Sequence, residues 1–292
     1  MKIIVIGRSG QLAWELARLT NDKHQIICLG RDDIDLKCQS NIVATLTKYK
    51  AEAVINAAAY TAVDLAESDR DTAYALNENA VGILALACAE LSLHLTQVST
   101  DFVFAGNQST PYLPDDLVNP MGIYGASKAA GEQLLLKLLP DDSCIIRTSW
   151  VYSIHGNNFV KTMLRLMAEK SELGIISDQV GSPTSAKSLA KACLYAALNQ
   201  VKGIHHWTDS GVASWYDFAI AIQELALERN ILSTSITINP ISTSQYPTPA
   251  KRPSYSVLDK SSLVEHFSGI PNRHWRVELN EMLDELSLLN DN

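Results

Sequence analysis

Tyr124 and Lys128 stand four residues apart in Tyr124-Gly125-Ala126-Ser127-Lys128, a spacing that puts a phenol and an ammonium on one face of a helix. A free phenol titrates near pH ~10, too high for easy proton exchange at neutral pH. A neighbouring cation favours the phenolate, so Lys128 is expected to draw Tyr124 down toward a useful acid-base range. Alone, the pair fits an exposed helix face better than a catalytic dyad. Its weight comes from the start of the chain, Lys2-Ile3-Ile4-Val5-Ile6-Gly7-Arg8-Ser9-Gly10-Gln11-Leu12-Ala13. The β-branched apolar run reads as a buried parallel strand that ends at Gly7, after which Gln11 to Ala17 takes up helical periodicity. Gly7 permits a tight turn, Gly10 lets a diphosphate approach the backbone, and Ala13 lets the helix pack closely. The new helix offers its N-terminal amides and positive dipole end to the phosphates. Gly-x-x-Gly-x-x-Ala departs from the commoner Gly-x-Gly-x-x-Gly, and a glycine pair by itself is also an ordinary strand-helix turn. Strand before and helix after favour a dinucleotide. The acid-base tyrosine would then stand where a nicotinamide could deliver hydride.

Positioning these groups needs a frame, and the first half of the chain supplies one. Gln25 to Leu29, Ala53 to Asn56, Leu95 to Ser99 and Cys144 to Thr148 read as further strands, with helical stretches near 10–20, 40–50, 70–93 and 124–139. Such alternation predicts an α/β fold, a Rossmann-like doubly wound parallel sheet with helices on both faces. Ligands bind such sheets at the carboxyl ends of the strands, where Gly7 to Leu12, Arg31, Ala57 to Thr61, and Thr100-Asp101 fall. Beyond about residue 150 the alternation loosens and turn residues rise, as in Asp178 to Thr184 and Tyr246 to Pro249. The expected organisation is a dinucleotide-binding domain over 1–150 and a smaller, irregular substrate lobe over 151–292, with some segments returning to the first domain.

Composition agrees with a soluble enzyme. A chain of 292 residues, 47% hydrophobic, can bury a large core. A net charge of −8 argues against a nucleic-acid surface. No apolar run approaches a membrane span. The N-terminal run is too short for a secretory signal, which places the expected location in the cytoplasm. The five cysteines form no Cys-x-x-Cys pattern, so reduced thiols are expected and no metal site is. His205-His206, the only histidine pair, would face opposite ways on a strand.

Several blocks together carry a resemblance: Gly7-x-x-Gly10-Gln11-Leu12, Asn56-Ala57-Ala58-Ala59-Tyr60-Thr61-Ala62-Val63-Asp64, Ser99-Thr100-Asp101-Phe102-Val103-Phe104, Tyr124-Gly125-x-x-Lys128 and Arg147-Thr148-Ser149-Trp150-Val151-Tyr152. Gly156 to Met163, Asp178-Gln179-x-Gly181-x-Pro183-Thr184, Ser214 to Ala219 and Thr248 to Pro253 continue the series in order, and nothing diagnostic follows Ser261. The chain resembles the extended short-chain dehydrogenase/reductase superfamily and, more narrowly, its dTDP-4-dehydrorhamnose reductase family. The resemblance implies reduction of a nucleotide 4-keto sugar, with Tyr124 protonating the ketone oxygen while NAD(P)H delivers hydride. Lys128 would hold the nicotinamide ribose, Thr100 would donate a hydrogen bond to the developing alkoxide, and Asp101 would contact the substrate. Without the resemblance, Thr100 fits an N-cap or turn hydroxyl and Asp101 a carboxylate capping backbone amides.

For the cofactor, the resemblance brings the Gln11 and Leu12 amides to the diphosphate and lines the ribose-nicotinamide passage with Ala59, Tyr60 and Thr61. It takes Asp35 and Leu36 to the adenine, although both also fit a plain loop. Position 30, where a carboxylate would grip the ribose 2′-hydroxyl, is Gly30, followed by Arg31 and with Arg8 close by. Arginine suits a 2′-phosphate, so NADPH is expected, with NADH also accepted. For the substrate, Trp150 would pack beside the sugar, Asn158 and Phe159 would contact the nucleotide, and Arg252 would grip the diphosphate bidentately. The plainer readings are a core tryptophan, a helix start and a surface cation. Some relatives dimerise through a metal held by carboxylates; Lys187 makes that arrangement doubtful here, and a homodimer is left open. Two rival functions also fit the resemblance: a reductase or epimerase of another nucleotide 4-keto sugar, and a non-catalytic NADP-binding regulatory subunit of the methionine adenosyltransferase type.

Overall fold

Ile3, Ile4, Val5 and Ile6 are all apolar because the strand they form is covered on both faces. The computed structural model describes residues 1–290. It places β1 (Lys2–Ile6) inside a six-stranded sheet with β2 (Gln25–Leu29), β3 (Ala53–Asn56), β4 (His94–Thr100) and β5 (Ser143–Thr148). The sixth strand, β6 (Gly203–His206), pairs parallel with β5. The order is β2-β1-β3-β4-β5-β6 and all pairings are parallel. This is the Rossmann-like arrangement expected from the alternation of elements.

Successive side chains of β1 go to opposite sides. Ile3 and Val5 join the core formed with α1 (Gln11–Ala17) and the helix Ala186–Asn199. Ile4 and Ile6 join the core beneath α2 (Gln39–Tyr49), α3 (Ala80–Glu90) and α4 (Ile123–Leu138). In register, Ile6 lies opposite Leu29 and Asn56, and Thr100 opposite Thr148. The loops leaving β1, β3, β4 and β5 therefore emerge along one edge of the sheet.

The helix read over 70–93 is interrupted. Arg70–Tyr74 is α-helical, Ala75–Asn79 is a π-turn, and α3 resumes at Ala80. A π-turn fits one extra residue into a helix and re-aims side chains around it. Here α4 packs so closely that a Cβ on Gly131 would lie 2.0 Å from the Asn77 carbonyl oxygen.

After β5 the chain leaves the sheet and builds a second core around α5 (Phe159–Glu169), with Tyr152, Val160, Met163, Phe218, Ile222 and Leu279. Glu172–Ile176 pairs with Thr237–Ile241 at its margin. The helix Trp215–Glu228 begins with a capping box between Ser214 and Asp217. Between these parts the chain returns to the sheet, through Ala186–Asn199 on its face and β6 at its edge. No helix among the described residues is long and apolar enough to cross a membrane. All five cysteines are free.

Candidate active site

The turn after β1 has the geometry that its glycines foreshadow. Gly7 has φ +107°, and a Cβ there would lie 3.2 Å from the Ala58 nitrogen, so the turn runs against the loop leaving β3. Gly10 is the extended N-cap of α1 with nothing within 4 Å of its Cβ position, and no side chain caps the helix. Leu12 is buried against the sheet, whereas Gly10 is exposed. A loop of the second core crosses this turn. His155 stacks on Trp14 at 5.3 Å and its Nε2 lies 3.1 Å from the Ser9 carbonyl oxygen.

Asn158 belongs to the same crossing. Its amide nitrogen donates to Gln11 Oε1 at 2.9 Å and to the Ser153 carbonyl at 2.6 Å, and its Oδ1 caps α5 by accepting from the Lys161 amide. The helix-start reading of Asn158 is one that its hydrogen bonds fit. Phe159 packs with Trp215 at 4.6 Å and Phe218 at 5.5 Å.

At the end of β4, Thr100 is buried and extended, and its Oγ1 accepts from the Phe102 amide at 3.2 Å while donating to Asp101 Oδ1 at 3.1 Å. The turn-hydroxyl role and the site position are thus held by one side chain. Gly125 lets the first turn of α4 press onto this strand end, since a Cβ there would lie 2.1 Å from the Phe102 carbonyl oxygen. The Tyr124 ring meets Phe102 edge-on at 5.6 Å. Burial pushes the Tyr124 phenol up to about 12, against a hydrogen bond with Thr100 that pulls it down. Lys128 Nζ donates to the Val98 carbonyl at 2.6 Å, and burial lowers it to about 8, with the Glu132 carboxylate opposing the fall. The expected lowering of the tyrosine by the lysine is therefore corrected. The ammonium is spent on a backbone carbonyl, and desolvation governs the phenol.

Asp101 is buried, and burial raises its carboxyl to about 6 against hydrogen bonds from Ser256 and Thr100. Tyr60, half-buried, donates its phenol to Asp69 at 3.1 Å; its amide donates to Asn77 Oδ1 at 2.9 Å. Asn77 also donates to the Tyr60 carbonyl and, at 3.0 Å, to Ser127 Oγ on the helix of Tyr124 and Lys128. Asn77, within the π-turn, thus ties the Tyr60 loop to α4, a link that sequence reasoning missed. Ala59 is half-buried and Thr61 exposed in the same loop.

Past β2, Asp35 is exposed and accepts from the Lys37 amide at 2.9 Å, as a loop carboxylate does. Leu36 packs against the sheet core beside α3. Arg31 is exposed. Arg8 instead lies over Gly30, whose Cβ position is 3.0 Å from Nη2.

Trp150 has φ +49°, a costly backbone for a bulky residue. It stacks on Trp215 at 3.6 Å and 9° and leaves room for no Cβ at Gly181, 2.8 Å from its ring. Trp215 and Gln179, joined by an indole hydrogen bond at 3.2 Å, complete this platform. Arg252 forms two bonds to Asp64, Nη1 to Oδ1 at 3.1 Å and Nη2 to Oδ2 at 2.7 Å, and also donates to Thr248 and the Ala250 carbonyl. The surface-cation reading fails, because Arg252 ties its loop to the short helix Val63–Ala66 that follows β3. Lys187 lies 3.9 Å from Glu285, and no group of carboxylates, histidines or cysteines suited to a metal ion occurs among the described residues.

Residues 1–288 match the family model described as RmlD substrate binding domain. The chain is 41% identical over 288 residues to the spore coat polysaccharide biosynthesis protein SpsK of Bacillus subtilis, covering 98% of each. It is 39% identical over 283 residues to the dTDP-4-dehydrorhamnose reductase of Aggregatibacter actinomycetemcomitans, covering 94% of this chain and 96% of that one. A solved dTDP-4-dehydrorhamnose reductase from Bacillus anthracis, in complex with NADP, superposes with a TM-score of 0.90 at 32% identity, over 97% of this chain and 99% of that one. Carried along nearly the whole chain by sequence and by backbone alike, the likeness shows that this protein belongs to the dTDP-4-dehydrorhamnose reductase family.

Proposed function

We propose that the protein reduces the 4-keto group of dTDP-4-dehydro-L-rhamnose to give dTDP-L-rhamnose, with NADPH as reductant and Tyr124 as proton donor. The observation that carries the reading is the meeting of Thr100, Tyr124 and Lys128 at the end of β4, beside a glycine turn that opens a helix. The names of the relatives support the substrate, and the NADP complex of one of them supports the cofactor.

The residues present fit a dinucleotide. The Cβ position of Gly10 faces open space, the first amides of α1 have no side-chain cap, and Arg8 supplies a cation at the end of β2. When bound, NADPH supplies the hydride. Tyr124, its phenol held protonated by burial, gives its O–H proton to the carbonyl oxygen. The Thr100 oxygen is fixed by the Phe102 amide, and its O–H, turning from Asp101 to the substrate, stabilises the charge developing on the carbonyl oxygen. Lys128, cationic below about pH 8 and giving one N–H to the Val98 carbonyl, has two N–H donors left that would hold the nicotinamide ribose. Trp150 and Trp215 form an aromatic wall for the sugar. Arg252, paired with Asp64, orders the loop that would hold the nucleotide part of the substrate.

The test is NADPH oxidation by the purified protein against a panel of nucleotide 4-keto sugars. Stoichiometric oxidation with the dTDP-linked 4-dehydrorhamnose, and product with a 4-hydroxyl, is the expected result. Epimerised product without net NADPH consumption would overturn the assignment.

A further inference from the structure

We propose that Asp33 is a built-in competitor for the 2′-phosphate of the dinucleotide, and that its grip on Arg8 sets the balance between NADPH and NADH. The inference rests on the dinucleotide reading of the site given above. Gly30 follows β2 and has no side chain; its Cβ position lies 3.0 Å from Arg8 Nη2 and 3.1 Å from Cζ. The guanidinium thus occupies the place where a side chain at position 30 would stand. Arg8 Nη1 donates to Asp33 Oδ2 at 2.8 Å, and the Gly30 amide donates to the same oxygen at 2.7 Å. Asp32 is a weaker second partner, 3.4 Å from Nη2 and 90% exposed.

One carboxylate oxygen therefore collects a guanidinium N–H and a turn amide N–H. These are the two donor types that a phosphate monoester accepts from most readily. A 2′-phosphate carries more charge than the carboxylate and takes Arg8 by exchange, with Asp33 retreating toward water. A ribose 2′-hydroxyl cannot compete for the guanidinium, so NADH leaves the Arg8–Asp33 pair closed. Part of the gain from the phosphate is spent on opening the pair, which narrows the preference and keeps both nucleotides acceptable.

Dissociation constants for NADPH, NADH and adenosine 2′,5′-bisphosphate, measured by titration without sugar, test this directly. Asp33→Asn keeps an acceptor for the Gly30 amide but removes the charge. It is expected to tighten NADPH and the bisphosphate about two- to fivefold, the coupling of an exposed ion pair, and to leave NADH unchanged. Arg8→Ala is expected to weaken NADPH about 10- to 100-fold, the loss of a charged hydrogen bond, with NADH within twofold. In the Arg8→Ala background Asp33→Asn should then do nothing, because the two act through one pair. Equal effects on NADPH and NADH would overturn the proposal, as would a tightening that persists without Arg8. It is also overturned if Arg31→Ala takes the phosphate-specific loss instead. A wild type that turns over normally while these variants fail the pattern refutes this inference alone; a wild type that binds neither dinucleotide refutes the proposed function with it.

Discussion

Glu132→Gln reaches both the fold and the active site, and the structure allows the size of each effect to be worked out. Glu132 and Arg147 are 4% and 2% exposed, and the arginine bonds the carboxylate from Nε at 3.0 and 3.2 Å and from Nη2 at 2.7 Å. Removing one partner of such a pair leaves a buried charge uncompensated, which costs about 3–5 kcal/mol. Glutamine retains one acceptor oxygen, and Arg147 keeps the Pro114 carbonyl at 2.9 Å and the Phe104 ring at 5.0 Å. The expected loss therefore sits at the lower end, about 3 kcal/mol, read as a fall in the denaturation midpoint in urea. Glu132 also lies one helical turn beyond Lys128 and opposes the burial that lowers that lysine to about 8. Without the carboxylate Lys128 gives up its proton at lower pH, so the alkaline limb of kcat should move toward neutrality. Arg147→Met combined with Glu132→Gln should recover most of the stability, since no buried charge remains, but none of the shift in the limb. A stability change in Glu132→Gln below about 1 kcal/mol would refute the buried-pair argument. An unmoved alkaline limb would refute the coupling to Lys128.

Tyr124→Phe removes only the phenol oxygen and should leave the denaturation curve intact while turnover falls about 10²–10⁴-fold; near-normal turnover would sink the proton-donor role. Arg252→Ala breaks a half-exposed pair with Asp64. It should cost no more than about 1 kcal/mol of stability, yet raise KM for the nucleotide sugar with NADPH affinity barely changed. Unchanged dTDP binding by calorimetry would separate this loop from the substrate. Asp209 has its carboxyl raised from 3.8 to about 7 by burial, with Ser185 and Ser188 hydrogen bonds and Lys260 pulling down and Glu278 pushing up. A raised carboxyl stabilises the fold below its unfolded pKa, and that contribution is lost as pH climbs from about 4 through about 7. Asp209→Asn should therefore flatten the fall in stability between pH ~4 and ~7; a parallel profile in the variant would contradict the assigned burial cost.

Legibility in the sequence followed the range of the interactions. Strand Ala53–Asn56 was readable to the residue because a run buried on both faces has one local signature, and the edge strand Gln25–Leu29 because its apolar Ile26 to Leu29 run is just as local. β6 was not readable. Gly203-Ile204-His205-His206 is short and half polar, and only its pairing with β5 makes it a strand. The π-turn at Ala75–Asn79 breaks the helical phase in a way that periodicity cannot register, so Asn77 looked like any helix polar residue. Tyr124 and Lys128 stood out by their spacing once a dinucleotide turn lay upstream, and Thr100 through the resemblance of the block around it. The direction of the Tyr124 shift did not, since desolvation depends on what the rest of the chain lays over the phenol. For Arg252 and Asn158, a motif gives the position of a polar group but not its partners. Each is held by a residue more than a hundred positions away, Asp64 and Gln11.

The late return of the chain to its sheet bears on how the protein can be made. The face carrying Ile3, Val5, Ile55 and Ile146 is covered by Leu189, Ala192, Cys193 and Ala196 of the helix Ala186–Asn199. Until that helix has left the ribosome, a nascent chain can assemble five strands and one full helical layer, but its other face has only α1 (Leu12, Ala13, Leu16) to cover it. That face is the sort of surface on which partly synthesised chains stick to one another. A fragment cut near residue 150 would carry the glycine turn, Thr100, Tyr124 and Lys128 and still lack the cover that makes their sheet soluble. Shortening the chain to a minimal dinucleotide binder would have to keep residues 186–206 or replace them, because they supply that helix and the sixth strand.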